Sequence, residues 1–254
     1  MTLELDIGQC ATLACLLEVI APKAGNVHRG ADFEDLTLTD FAISATAIGP
    51  AMQNAAINGV GRTVLNAVQA TQQSVRTHTN LGTVLLIAPM AAVPPSVALR
   101  EGIATVLSSL TPEDCQHVYQ AIRLAQPGGM GDVTDMDIQE TPPPSLRDAM
   151  RAAAERDMVA MQYSNDFETV LGEIAPRLQQ NVSQGWSIEY AIIECQLQLL
   201  RRYPDSLISR KCGQQVADQA AALADEVLQS GEPGTERFEE AMADLDFWMR
   251  ADHH

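Results

Sequence analysis

A short polar stretch near the N-terminus, Lys23-Ala-Gly-Asn-Val-His-Arg29, carries three side chains that can bear positive charge. It also contains one of the only two lysines in the chain. Pro22 ends the apolar run that precedes the stretch, and Gly25 allows the backbone to turn, so the pattern predicts a loop at a helix end. Basic groups and Asn26 gathered in such a loop can hold an anion, and we interpret the loop as one wall of an anion site.

A second polar turn, Arg76-Thr-His-Thr-Asn80, precedes an almost wholly apolar run from Leu81 to Ala92. A helix that is apolar on all sides lies inside a domain, and Asn80 is well placed as its N-cap. The start of this helix would present His78, Asn80 and backbone N–H groups to a cleft, which favours anion binding. For both His28 and His78, a purely structural hydrogen bond is the alternative interpretation.

Carboxylates follow the basic groups at the same kind of junction. Those that could bind a metal or move protons are Asp32, Asp35, Asp132, Asp135, Asp137 and Asp205, and Asp205 shares the polar segment 204–213 with Arg210 and Lys211. If the junctions converge, one cleft contains cations for phosphate groups and carboxylates for a metal. The spacing in the glycine-rich segment 126–140 does not match a calcium loop, so an exposed acidic loop is the alternative there.

The composition favours an all-α protein, because 46% of the residues are hydrophobic and only 4% are aromatic. Good helix formers are abundant, whereas the β-branched and aromatic enrichment of strands is missing. We find helical periodicity along the chain and no strand-like alternation. We therefore predict an all-α, single-domain bundle of about ten helices.

The charge excludes several classes of partner. With 33 acidic and 16 basic residues, the net charge of −17 repels nucleic acid and anionic membranes. Prolines interrupt the longest uncharged run, 79–99, which predicts a buried helix and a turn instead of a membrane span. Five cysteines without C-x-x-C spacing indicate reduced thiols, and no signal peptide is recognisable, so we expect a cytoplasmic protein.

In combination, six motifs in the same order resemble the triphosphoribosyl-dephospho-CoA synthase family over nearly the whole chain. They are 23–29, Asp32-Phe33, 41–50, 78–89, Pro127-Gly-Gly-Met-Gly131 and 204–211. The chain departs from the usual family pattern at two places, with Ala24 in place of proline and Thr79-Asn-Leu-Gly82 in place of a Thr-His-Lys-Gly turn. In this it resembles more closely a branch of the family found with one-carbon metabolism. Family members often continue beyond the position of His254, so truncation at the C-terminus is one interpretation. The final His253-His254 are either native or the remainder of a tag.

The resemblance implies an all-helical enzyme that joins the triphosphoribosyl group of ATP to a ribose hydroxyl of 3′-dephospho-CoA, with loss of adenine. The reacting ribose passes through an oxocarbenium-like state, for which the resemblance makes Asp32 and Glu18 the candidate acid–base pair. The retained triphosphate would be held by Lys23, Asn26, His28, Arg29, His78, Asn80, Arg210 and Lys211. Mg²⁺ would bridge its oxygens to Asp35, Asp132 or Asp205.

Two other hypotheses stay open on the sequence. One is a nucleotide- or CoA-binding protein that has this fold and no transferase chemistry. The other is a pentosyl-type transferase of the tetrahydromethanopterin one-carbon pathway, with a different acceptor. The oligomeric state is also open, with a homodimer as one alternative.

Overall fold

The protein is described by a computed structural model for residues 4–34, 36–75, 79–125 and 141–251. These residues form fourteen α-helical segments and one π-helical segment, which confirms the all-α class. In chain order they are α1 (Ile7–Ile20), α2 (Leu38–Gln53), α3 (Ala55–Asn58), α4 (Val60–Ser74), α5 (Leu81–Ala91), α6 (Leu99–Ser108), α7 (Pro112–Ala125), α8 (Leu146–Ala153), α9 (Met158–Ser164), π1 (Glu168–Ile174), α10 (Ala175–Ser183), α11 (Ile188–Arg202), α12 (Ser206–Cys212), α13 (Gln214–Ser230) and α14 (Glu236–Ala251).

The helix count exceeds the predicted ten because local caps divide the predicted runs. Helical periodicity runs from Ser145 to Tyr163 and by itself predicts one helix there. This prediction is wrong, because Asp157 accepts hydrogen bonds from the N–H groups of Val159 and Ala160 and starts a new helix. The polar residues of the segment 204–213 by themselves indicate a turn, yet the segment contains the two-turn helix α12, with Asp205 as its N-cap. A capping carboxylate can therefore start a helix where the hydrophobic pattern predicts one continuous helix, and also where the pattern predicts no helix.

Contacts between Cα atoms divide the chain into two compact units. Unit 1 comprises Met1–Leu16 and Thr39–Gly172, and unit 2 comprises Leu17–Leu38 and Glu173–His254. The predicted single domain stays a prediction, and each unit has its own hydrophobic core.

Unit 1 is organised around the close crossing of α4 and α7. A Cβ atom at Gly61 would lie 2.4 Å from the backbone of Asp114, so glycine is required where the helices touch. The Asp114 carboxylate accepts the N–H of Gly61 at 2.7 Å and that of Thr111 at 2.8 Å, which links the starts of the two helices. Close packing and capping thus depend on one pair of residues.

Helix α5 lies in the core of unit 1, as predicted, and each of its residues is at least partly buried. The fully buried Tyr163 of α9 donates a 2.6 Å hydrogen bond to the carbonyl oxygen of Leu85, which joins the two helices. None of the helices within the described ranges has both the length and the apolar character needed to cross a membrane.

Unit 2 is built on helices α11, α13 and α14, whose apolar faces meet in one core. Beside this core, Glu194 of α11 is 4% exposed and binds Arg177, Asn181 and Gln198. Burial opposes ionisation of Glu194, yet the hydrogen bonds from Arg177, Gln198 and Asn181 lower its pKa overall. The buried carboxylate is therefore fully partnered, as a charge in a core must be.

Candidate functional site

The basic loop 22–34 of unit 2 begins with an ion pair whose cation is buried. Lys23 is only 6% exposed, and its ammonium donates to the carboxylate of Glu18 and, at 2.6 Å, to the backbone carbonyl oxygen of Glu18. Because Glu18 lies in the last turn of α1, the ammonium also satisfies a carbonyl at a helix C-terminus, where positive charge is favourable. The Glu18 side chain remains 47% exposed. The structure thus pairs a buried cation with a half-exposed carboxylate at the base of the loop.

The turn that follows depends on Gly25, which has φ +72°. Its N–H donates to the Asp246 carboxylate at 2.9 Å, and a Cβ atom at this position would lie 3.0 Å from Met249. The adjacent Asn26 turns its side chain back to the carbonyl oxygen of Ala24 at 3.0 Å. Gly25 is therefore needed both for its backbone conformation and for the approach of α14.

The surroundings of the His28 ring favour its neutral form. Burial lowers its pKa, the positive charges of Arg250, Lys23 and Arg29 lower it further, and Asp246 opposes them. The N–H of Gly30 donates to His28 Nδ1 at 3.1 Å, so the ring proton is assigned to Nε2. His28 therefore offers a hydrogen-bond donor, whereas the sequence suggested a third cation in the loop.

Two other predicted residues of the loop are exposed. The Arg29 guanidinium, 62% exposed, forms a long ion pair of 3.3 Å with Glu189, and such a pair contributes little stability. The Asp32 carboxylate accepts the N–H of Leu38 at 2.7 Å, at the start of α2. Arg29 is thus accessible to a ligand, while Asp32 already has a structural hydrogen bond.

The remaining predicted residues of unit 2 lie on the short helix α12. Asp205 Oδ1 accepts the N–H groups of Leu207 at 2.7 Å and Ile208 at 3.0 Å, which gives this carboxylate a capping role. Arg210 and Lys211 lie in the last turn and are exposed. Ile208 of α12 and Ala24 of the loop contribute to the same hydrophobic core, so the two segments belong to one packed unit.

Asn80 belongs to unit 1 and occupies the N-cap position of α5, as predicted, but its side chain does not cap the helix. Its Oδ1 accepts from the Thr71 hydroxyl at 3.3 Å, and its buried Nδ2 has no hydrogen-bond partner among the described residues. The neighbouring Thr79 hydroxyl donates to Ser44 at 2.7 Å. The Nδ2 group of Asn80 therefore remains available as a hydrogen-bond donor at this helix start.

Five candidate residues from the sequence lie outside the described residues, namely His78, Asp35, Asp132, Asp135 and Asp137. Within the described ranges, no group of three or more His, Cys, Asp or Glu side chains is arranged to hold a metal ion. A Mg²⁺ ion that enters on nucleotide phosphates needs only one or two protein carboxylates, so the predicted Mg²⁺ stays a prediction.

Unit 1 also contains two cavities away from the predicted chemistry. One of about 440 Å³ is lined mainly by apolar residues of α1 and α2, including Leu13, Leu16 and Pro50. The other, of about 710 Å³, is polar and includes Arg62 and His117. Neither lining contains a residue that the sequence assigned to phosphate or metal, so these cavities do not locate the predicted site.

Sequence reasoning missed the partners that α14 and α11 supply to the basic loop. Arg250 donates to the carbonyl oxygen of Asn26, Asp246 accepts from Gly25, and Gln196 donates to the carbonyl oxygen of Ala24 at 3.2 Å. These residues are distant from the loop in sequence, and no local pattern connects them to it. The i, i+4 pair Asp246 and Arg250 was the one available signal, although such pairs are common on helix surfaces.

Comparisons with known proteins are consistent with this all-helical architecture. The model of the family described as ATP:dephospho-CoA triphosphoribosyl transferase matches residues 4–254. No curated protein matches the chain. A similar solved structure is the crystal structure of a protein from Archaeoglobus fulgidus, provisionally assigned as a triphosphoribosyl-dephospho-CoA synthase. It has a TM-score of 0.56 and 21% sequence identity, over 82% of this chain and 96% of that chain, and this likeness concerns the fold alone.

Proposed function

The chain belongs to the ATP:dephospho-CoA triphosphoribosyl transferase family, and from this premise we propose that the loop 22–34 of unit 2 binds the triphosphate of ATP. The reaction class is transfer of the triphosphoribosyl group of ATP to dephospho-CoA with release of adenine. The observation that carries the proposal is the ion pair of the buried Lys23 with the half-exposed Glu18, at the base of a loop with an exposed arginine. A fixed cation and a half-exposed carboxylate suit a site that must bind phosphate beside a reacting sugar.

The transfer exchanges one bond at C1 of the ATP ribose. The bond from C1 to the adenine nitrogen breaks, and a bond from C1 to the acceptor hydroxyl oxygen forms. The hydroxyl loses one proton and adenine gains one, while all three phosphates are retained. Positive charge develops on the sugar ring as adenine leaves, and nearby carboxylates stabilise it by the same logic as in glycoside hydrolysis.

Three groups of the loop suit the triphosphate. Arg29 is the exposed cation and can form paired hydrogen bonds with phosphate oxygens. His28 contributes its Nε2–H as a neutral donor. The Lys23 ammonium has three N–H donors. Two of them donate to the carbonyl oxygen and the carboxylate of Glu18, and the third can donate to a phosphate oxygen. Lys211 and Arg210 of α12 are proposed as further cations for the same phosphates.

Glu18 and Asp32 are proposed as the acid–base pair. Glu18 is ion-paired and half exposed, which suits stabilisation of the positive ribosyl centre. Asp32 is exposed, and its hydrogen bond from Leu38 fixes one oxygen and the direction of the carboxylate. When bound, Mg²⁺ would supply charge neutralisation for the phosphates, and the proposed carboxylates for it are Asp35, Asp132 or Asp205.

Release of free adenine tests the function directly. The protein is incubated with ATP, Mg²⁺ and dephospho-CoA, and adenine and the coupled product are separated by chromatography. Adenine that appears only with dephospho-CoA supports the proposal. ATP binding without adenine indicates a binding protein, and adenine that appears only with a pterin nucleotide identifies another acceptor. Either of the last two results would overturn the proposed activity.

The placement of the site needs a separate control. Arg29→Ala is compared with Arg62→Ala, which removes an exposed guanidinium from unit 1. We expect Arg29→Ala to raise the KM for ATP about tenfold, since a charge-assisted hydrogen bond is worth about 1.5–3 kcal/mol, and Arg62→Ala to have little effect. An equal KM for ATP in both variants would contradict the proposed phosphate site but would not contradict the proposed reaction.

A further inference from the structure

The last turns of α14 contact the basic loop through three side chains. Asp246 accepts the N–H of Gly25 at 2.9 Å, and Arg250 donates to the carbonyl oxygen of Asn26. Met249 fills the space on which a side chain at Gly25 would intrude. Two backbone groups of the turn thus have their hydrogen bonds made by one distant helix.

Arg250 is itself fixed by several partners. Its Nε lies 2.9 Å from both carboxylate oxygens of Asp246, and its guanidinium carbon lies 4.9 Å from the centre of the Phe33 ring. The side chain is 19% exposed. A planar guanidinium held by a carboxylate, a carbonyl oxygen and an aromatic face cannot be reproduced by a lysine ammonium.

The internal hydrogen bonds of the loop, including those of the Asn26 side chain to Ala24 and of Gly30 to His28, join only close sequence neighbours and do not anchor the turn to the rest of the unit. The N–H of Asn26 donates to the carbonyl oxygen of Lys23 at 3.2 Å, and His28 and Ala31 form an isolated bridge with hydrogen bonds of 3.1 and 3.0 Å. Because Asp246 and Arg250 bind each other as well as the loop, they form one connected network. Loss of either side chain therefore removes one hydrogen bond to the turn and also a partner of the other side chain.

We propose that Asp246 and Arg250 are positioning residues for nucleotide binding, which hold the turn at Gly25 and Asn26 so that the loop meets the triphosphate in one conformation. The inference rests on the proposed function of this loop. Arg250 also adds positive charge beside His28 and helps to keep that ring neutral. A preformed loop binds ATP without first losing conformational entropy. A variant that makes the loop more mobile should therefore weaken ATP binding more than it slows the transfer step.

Kinetics of two conservative variants test the inference. Arg250→Lys keeps the positive charge but loses the planar guanidinium, and with it the paired contact with Asp246 and the contact with the Phe33 ring. Asp246→Asn keeps the size of the side chain but loses its negative charge. We expect each to raise the KM for ATP about tenfold, with kcat changed less than about threefold. Arg237→Ala removes an exposed guanidinium from the first turn of the same helix and serves as the matched control, with an unchanged KM. Partial unfolding would instead lower the active fraction, and therefore the apparent kcat, at constant KM.

Coupling and backbone exchange provide two further readouts. We expect the double variant Asp246→Asn with Arg250→Lys to raise KM no more than the worse single variant, because both act through one network. Hydrogen exchange should increase in peptides covering 22–34 and stay unchanged in α11 and α13. An unchanged KM, or loop exchange that equals the wild type, would overturn the inference.

Failure of the proposed function is distinguishable from failure of this inference. A wild-type protein that releases no adenine with dephospho-CoA would overturn the function. Equilibrium dialysis with MgATP then tests the inference alone. Binding that is about tenfold weaker in Arg250→Lys than in Arg237→Ala would support it, and equal binding by the two variants or no binding by the wild type would overturn it.

Discussion

The Lys23 ammonium is buried against the end of α1 and binds both the carboxylate and the backbone carbonyl oxygen of Glu18. The two partners differ in burial, since Lys23 has a side chain 7% exposed and Glu18 one 47% exposed. The pair is therefore asymmetric: removal of the carboxylate leaves a charge inside the protein, whereas removal of the ammonium leaves one at the surface.

This asymmetry predicts unequal effects on stability. Glu18→Ala should lower the free energy of unfolding by about 3 kcal/mol, because the buried ammonium loses its charged partner. Lys23→Met should cost about 1 kcal/mol, because the half-exposed carboxylate can be hydrated and the methionine side chain fills the space. Urea unfolding followed by circular dichroism measures both. Equal losses, or a larger loss for Lys23→Met, would contradict the described geometry.

Loss of either lysine should weaken ATP binding. We expect Lys23→Ala and Lys211→Ala each to raise the KM for ATP by about tenfold or more in the adenine-release assay. Lys211 is exposed, so its replacement should change the free energy of unfolding by no more than about 0.5 kcal/mol. Normal turnover by both variants would show that these lysines do not hold the triphosphate.

His28 predicts a pH dependence of defined sign. Its pKa is lowered from 6.5 by burial first and by nearby positive charges second, so the unfolded chain binds its proton more readily than the folded chain. Its contribution to stability is therefore complete above pH 6.5 and is lost as the pH falls through the folded pKa. NMR titration of the ring should give a value below 6.5, and His28→Asn should reduce the slope of stability with pH in that window. A folded pKa at or above 6.5 would contradict this environment.

Two glycines of unit 1 make a matched pair for packing. A Cβ atom at Gly61 would lie 2.4 Å from the backbone of Asp114, so Gly61→Ala should lower the free energy of unfolding by about 3 kcal/mol. A Cβ atom at Gly82 would lie 3.6 Å from Val159, which is an ordinary contact, so Gly82→Ala should stay within about 1 kcal/mol of the wild type. Thermal unfolding distinguishes the two. Similar melting temperatures for the two variants would mean that α4 and α7 are further apart at Gly61 than the structure shows.

Local sequence signals predicted the helices well where each signal had one interpretation. Serine is a preferred N-cap and proline a preferred first helical residue, and the structure has Ser145 as the cap of α8, Ser187 as the cap of α11 and Pro112 at the start of α7. Periodicity alone does not reveal the helix starts at Asp157 and Asp205, because a carboxylate in a polar segment can be a metal ligand, a surface charge or a helix cap. Which of these it becomes depends on the path of the following backbone.

The sequence by itself determined the helical class, the family and a basic loop after α1, because composition, periodicity and motif order are properties of the chain. Only the tertiary structure decided that Lys23 is buried against Glu18, that the pKa of His28 is lowered, and that Asp246 and Arg250 bind the turn at Gly25. Asp246 is 221 residues from Gly25 along the chain. The physical reason is that burial and partner choice arise when distant segments pack, and the energies of ions and hydrogen bonds depend on that packing more than on residue type.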